Sequence, residues 1–209
     1  FDAGPSQLDK VNKRFRMDAL KSGAVYDRYA NDFAWLIDAA VVLPTYQVSE
    51  PKRPLRRTAQ ENKFKLYEAD TGLLLSQYAP QTMLDVIADA PSVNFGSVYE
   101  NAVAQALSNE NPDLFYFCSS RKGEVDFIAQ RNDGALVPIE VKSGKDYKLH
   151  TALNNLLGTH DFEIGEACVL SSANVERRER EGKPIWYLPL YMAFCIAEQT
   201  SGTFGSMHL

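Results

Sequence analysis

Glu124-Val125-Asp126-Phe127-Ile128-Ala129-Gln130, then Arg131-Asn132-Asp133-Gly134, then Ala135-Leu136-Val137-Pro138-Ile139-Glu140-Val141-Lys142 is the stretch that decides how this chain folds. Two apolar-rich runs flank an Asn-Asp-Gly turn, which marks a β-hairpin. A three-residue loop with Gly134 in the left-handed position sets Arg131 opposite Ala135, Asp126 opposite Glu140 and Glu124 opposite Lys142. Side chains alternate along a strand, so those four charged groups leave one face while Phe127, Ile139 and Val141 fill the other. Two carboxylates and an ammonium on one wall can hold a divalent cation and a polarised water. The same face also suits a solvated row of cross-strand ion pairs. Runs this apolar belong in the middle of a sheet, where charges need partners or a metal. A two-residue loop would shift the pairing by one and separate Asp126 from Glu140.

Outward from the hairpin, Gly96 to Leu107 reads as a helix within Phe95 to Asn109. Leu114 to Cys118 is an aromatic strand, and Leu149, Leu153, Leu156 and Leu157 space a further helix. Ala167 to Ser171 and Ile185 to Leu190 are buried strands. Glu176 to Glu181 reads as a solvated loop or helix start. Earlier in the chain, Ser6 is placed to cap a short helix through Lys13. Tyr26 or Asp27 opens a stronger helix, with Tyr29, Phe33, Leu36 and Ile37 at helical spacing, and Trp35 and its neighbours read as core. Val41 to Val48 and Lys63 to Ala69 alternate as strands. Helices followed by a two-stranded ribbon, with a Pro- and Arg-rich tip over Glu50 to Glu61, look like a winged helix. The expected division is therefore a winged-helix-like unit over 1–70, a helical connector over 71–90 broken at Pro80, an α/β unit over 91–200, and a Gly- and Ser-rich tail over 201–209.

With 209 residues, 45% of them apolar, the chain can bury one good core or two modest ones. It has no apolar run of membrane-spanning length and no basic-then-apolar leader, so no membrane partner is expected. Its start without Met suggests a fragment. Cys118, Cys168 and Cys195 lack metal-ligand spacing, as do His150, His160 and His208, and a reducing cytoplasm is the expected home. Residues 1–65 carry a net +4 and residues 66–209 a net −9. Lys10, Lys13, Arg14 and Arg16, and then Lys52, Arg53, Arg56 and Arg57, are either solvated faces or phosphate contacts. No phosphate-binding Gly-x-x-x-x-Gly-Lys-Ser/Thr loop occurs, so no ATP site is expected in this chain.

Glu100 on a helix, Asp126 in a strand and Glu140-Val141-Lys142 on the next strand resemble the PD-(D/E)XK nuclease-like core, with Val125 in the place of its Pro. More closely, the chain resembles the domain of unknown function that follows the ATP-binding module in many prokaryotic AAA-type ATPases. The matching pieces are Pro5-Ser6-Gln7-Leu8, Trp35 to Ala40, Lys63 to Tyr67, Asp70 to Leu74, Gly96 to Glu100, Glu124 to Phe127, Glu140 to Gly144 and Leu188 to Tyr191. The resemblance implies an α/β (α+β) fold, a restriction-endonuclease-like α/β sandwich preceded by the winged-helix-like unit. It also implies metal-assisted phosphodiester hydrolysis. Asp126, Glu140 and the Val141 carbonyl would bind Mg²⁺ or Mn²⁺, Glu100 would add a carboxylate, and Lys142 would orient the attacking water. Lys145, Lys148, Arg56 and Arg57 would meet DNA phosphates, and the ATPase module of the full-length protein would be the partner. A non-catalytic docking or regulatory module of that ATPase and a winged-helix DNA binder are the alternative readings.

Overall fold

A computed structural model of the chain describes residues 7–8, 13–88, 90, 96–109 and 113–198. The helical spacing around Phe33 yields α1 (Tyr26–Asp38), and the alternating stretches yield β1 (Val42–Val48) and β2 (Ala59–Glu68). Asp70 caps α2 (Thr71–Ser76) by accepting the Leu73 N–H at 2.9 Å, and Pro80 occupies the first turn of α3 (Pro80–Ile87). Then come α4 (Gly96–Ser108), β3 (Leu114–Ser119), β4 (Gly123–Val125), β5 (Phe127–Gln130), β6 (Leu136–Val141) and α5 (Thr151–Leu157). The last elements are β7 (Ala167–Ser171), β8 (Glu176–Arg180), β9 (Lys183–Pro189) and α6 (Ala193–Glu198).

The hairpin forms in the expected register. Phe127 pairs with Ile139 and Gln130 with Leu136, and the Arg131 N–H meets the Ala135 carbonyl at 3.0 Å. Gly134 takes φ +84°, a conformation that a side chain would disfavour. The hairpin is shorter than expected, because the ladder ends at Phe127. Asp126 is a one-residue link between two sheets: β4 pairs back onto β3, while β5 opens the second sheet. Glu124 therefore lies opposite Cys118, not opposite Lys142.

Two mixed sheets result, one ordered β2-β1-β3-β4 and the other β5-β6-β7-β9-β8. β6, β7 and β9 run parallel, and all six residues of β6 are buried, as expected of an interior strand. β5 is the outer strand of its sheet, not a central one. One face of this sheet packs Phe127, Val137, Ile139 and Val141 against Leu74, Val103, Ala104, Leu107 and Ile196 from the helices. The other face packs Ile128, Leu136 and Val169 against Leu153, Leu156 and Leu157 of α5. The fold is mixed α/β with six α-helices and two sheets among the described residues.

The first seventy residues are not set apart as a winged unit. β1 pairs antiparallel with β2 on one side and parallel with β3 on the other, from Thr45↔Leu114 to Val48↔Phe117. Pro44, which has no N–H to give, lies just before that parallel ladder begins. The supposed wing tip folds into a 3-10 turn, Leu55–Thr58, whose Leu55 is buried against Phe115 and Phe117.

Two further readings need correction. Trp35 is 69% exposed, and α1 packs instead through Phe33 against Phe15 and Phe64. Glu176 to Arg180 is a strand rather than a loop or helix start. It pairs with β9 across a two-residue turn in which Glu181 and Gly182 both take positive φ. Of the Ser6-capped helix only Gln7, Leu8 and Lys13 are described, Lys13 outside any helix, and the tail over 201–209, like His208, lies outside the described residues. No helix among the described residues is long and apolar enough to cross a membrane.

Candidate functional site

Four acidic side chains meet where the sheets part. Glu100 comes from α4, Glu124 from β4, Asp126 from the link and Glu140 from β6. Asp126 Oδ2 accepts the Val141 N–H at 2.9 Å, supplying the hydrogen bond that a continuing strand would have made. Val141 thus meets Asp126 through its N–H. Glu140 is paired with Lys142, Oε1 to Nζ 2.8 Å, while its Oε2 is buried with no hydrogen-bond partner.

The centre of the group is held by a residue outside the expected site, Lys65 of β2. Its side chain is 0% exposed, and Nζ lies 2.7 Å from Glu124 Oε1, 3.6 Å from Asp126 Oδ1 and 3.8 Å from Glu100 Oε2. Nζ also sits 5.0 Å from the centre of the Tyr116 ring. These are charge contacts, because the ammonium makes no directed hydrogen bond. Glu100 is braced further by the Tyr67 hydroxyl, which donates to Oε2 at 2.9 Å, and by an ion pair with Lys13. The sequence carried no signal that separates Lys65 from Lys63, since both alternate with apolar residues in Lys63-Phe64-Lys65-Leu66-Tyr67 as lysines of a solvated strand face do. Phe64 and Leu66 pack on the α1 side, so Lys65 and Tyr67 turn the other way.

The electrostatics follow from burial. Desolvation opposes a charge on Lys65, but Tyr67, Glu100, Asp126 and Glu124 outweigh it and hold its pKa well above that of an ordinary lysine. Burial, with Asp126 facing it, pushes Glu140 up to about 7, and Lys142 opposes the rise. Glu100 is raised by burial and by Asp126, against the pull of Lys65 and Lys13.

A divalent metal is a poor fit to this arrangement. Among the described residues, no group of three or more His, Cys, Asp or Glu side chains is disposed to hold an ion. One Asp126 oxygen is already used, and the ammonium of Lys65 lies among the carboxylates. Even with Glu100, Glu124, Asp126 and Glu140 all ionised, Lys13, Lys65 and Lys142 would leave one net negative charge for a dication. The one feature that calls for a cation is the bare Oε2 of Glu140.

Residues 95–191 match the family model described as a domain of unknown function, DUF4143. The matched region is a little under half of the chain. It contains Glu100, Glu124, Asp126, Glu140 and Lys142 but neither Lys13 nor Lys65, so two of the three cations come from outside it. No curated protein and no solved structure matches the chain.

The expected phosphate contacts do not gather at this cluster. Arg56 forms a two-pronged pair with Asp113, its Nε 2.6 Å from Oδ2, and Lys148 pairs with Glu176 at 2.8 Å. Arg57 and Lys145 are exposed. A cavity of about 430 Å³ between Leu55, Phe115, Phe127 and Gln130 has none of the cluster's charged side chains in its lining. His150 is a buried histidine, 2.7 Å from the Tyr187 hydroxyl.

Proposed function

We propose that this chain is a non-catalytic module, nuclease-like in its placement of acids and lysines, that serves as a docking or regulatory part of a prokaryotic AAA-type ATPase. The observation that carries the reading is Lys65. A fully buried ammonium among Glu100, Glu124 and Asp126 balances the acids that a nuclease would keep for metal. The ATPase context rests on the resemblance set out above, and the DUF4143 match over residues 95–191 is consistent with it. An apolar surface suited to a partner supports the docking role: α3 buries no side chain and leaves Leu84 55% and Ile87 72% exposed.

The second reading is a metal-dependent nuclease, favoured by the unpartnered Glu140 Oε2 beside Lys142. On that reading Asp126, Glu140 and the Val141 carbonyl hold Mg²⁺ or Mn²⁺, with Glu100 adjoining and DNA as substrate, and Lys65 has to withdraw. Incubation of the wild type with circular single- and double-stranded DNA under Mg²⁺ or Mn²⁺ separates the two. The expected result is no nicking, together with a changed ATP turnover when the module is deleted from the full-length protein. Metal-dependent nicking that disappears in Asp126→Ala would establish the nuclease instead.

A further inference from the structure

The sheets separate two apolar layers, yet one hollow touches both. The cavity of about 430 Å³ is walled by Leu107, Leu114 and Phe127 of the layer under the α4 side, and by Leu55, Phe115 and Ile128 of the layer under α5. A cavity that reaches both layers lies in the plane of the sheets, between strands. It opens where the chain leaves β4 for β5. β3 pairs with β4 only as far back as Phe117↔Val125, so Leu114 to Tyr116 form no ladder on that side among the described residues, and β5 forms none on its outer side. The hollow is therefore bounded by two strand edges and occupies the place of a strand.

The main chain agrees. The Arg131 N–H meets the Ala135 carbonyl at 3.0 Å, which marks that pair as hydrogen-bonded. Alternation along an antiparallel ladder then turns the N–H and C=O of Ala129 and Phe127 towards β6, and those of Ile128 towards the hollow. Pro138, with no N–H to give, sits opposite Ile128, where the ladder needs none. Exposed Pro54, Arg56, Gln130 and Asn132 form the mouth. There Asp113 neutralises Arg56, so the entrance favours neither sign of charge.

The geometry points to this slot as a docking site for an extended apolar segment of a partner protein, which enters as an added strand along β5. The inference rests on the docking reading and gives it a surface other than α3. A strand inside a sheet is apolar on both faces, as β6 is, and the slot offers apolar walls to both. β5 presents four residues, Phe127–Gln130, an edge that a peptide of equal length matches residue for residue. A small apolar molecule would fill the volume but leave the Ile128 main chain unanswered, whereas a peptide backbone answers it while its side chains fill the hollow.

The test selects peptides from a random heptapeptide phage library on the intact chain. Labelled synthetic copies are then titrated by fluorescence anisotropy against wild type, Ala129→Phe, which fills the slot, and Ile128→Pro, which removes the slot-facing N–H. Peptides carrying an apolar run are expected to bind the wild type and to lose about tenfold or more in affinity for each variant. Peptides that bind both folded variants as tightly as the wild type, or no selected peptide that binds at all, would overturn the inference and leave docking through α3 standing. Anilinonaphthalene sulfonate bound by wild type but not by Ala129→Phe, with no peptide bound, would overturn it in favour of small apolar ligands. Should neither variant fold, hydrogen exchange in the wild type decides alone: a bound peptide slows the amides of residues 127–130, and one that leaves them unchanged refutes the slot. Peptide binding in the slot, with ATP turnover unchanged when the module is deleted, would uphold the slot and overturn the ATPase reading.

Discussion

Glu140 links the site to stability through pH. Its folded pKa, pushed up to about 7 by burial and by Asp126, lies above the unfolded value, so the folded protein holds this proton more tightly than the unfolded chain does. For a carboxylate raised in this way, ionisation costs folded-state stability. Wild-type stability should therefore fall as pH rises from about 4.5 to about 7, and then level off. Glu140→Gln mimics the protonated form and removes that decline. At pH 5 the two proteins should unfold at nearly the same urea concentration, whereas at pH 8 the variant should be the more stable, by on the order of 2–3 kcal/mol. Raised Glu100 bends the wild-type profile in the same direction, so the difference between the proteins is what isolates Glu140. A constant difference between pH 5 and pH 8 would refute the assignment.

Among the elements, α1 is the one whose orientation the sequence left open. Tyr29, Phe33, Leu36 and Ile37 define a helix, but Trp35 is large enough to draw the core reading towards itself. The structure buries Phe33, its ring 5.4 Å from Phe15 and 5.1 Å from Phe64, and leaves Trp35 in solvent. Phe33→Ala should cost about 3 kcal/mol or more in chemical denaturation, through lost transfer energy and an unfilled cavity. Trp35→Ala should change stability by less than about 0.5 kcal/mol. β8 gave the opposite difficulty. Its run of Arg and Glu resembles a solvated loop, yet Glu181-Gly182 provides the positive-φ turn that returns it onto β9. There Arg177 stacks over Trp186 and Arg178 over Tyr187, so the charged strand covers aromatic surface from outside.

At the scale of the whole molecule, β1 and β2 belong to the same body as the α/β part. The β1–β3 ladder and the reach of Lys65 to Glu124 and Asp126 tie the first seventy residues to the remainder. The intact chain should melt in one cooperative transition by circular dichroism. A fragment of residues 71–209, which lacks β1, β2 and Lys65, should show no cooperative transition; a fragment that melts normally would restore the two-unit reading. The sequence by itself determined most element types and narrowed the hairpin register to two choices of loop length, because local periodicity and the Asn-Asp-Gly turn act over a few residues. The hairpin pattern brought Asp126, Glu140 and Lys142 forward as one group, and the family resemblance added Glu100. Only the tertiary structure decided that the strand breaks at Asp126, that Trp35 faces solvent and that β1 joins β3. It alone placed Lys65 among the acids, more than thirty residues from the nearest of them in the chain. Partners so distant in sequence are chosen by the packing of two sheets, and a buried charge finds its neighbours only after that packing exists.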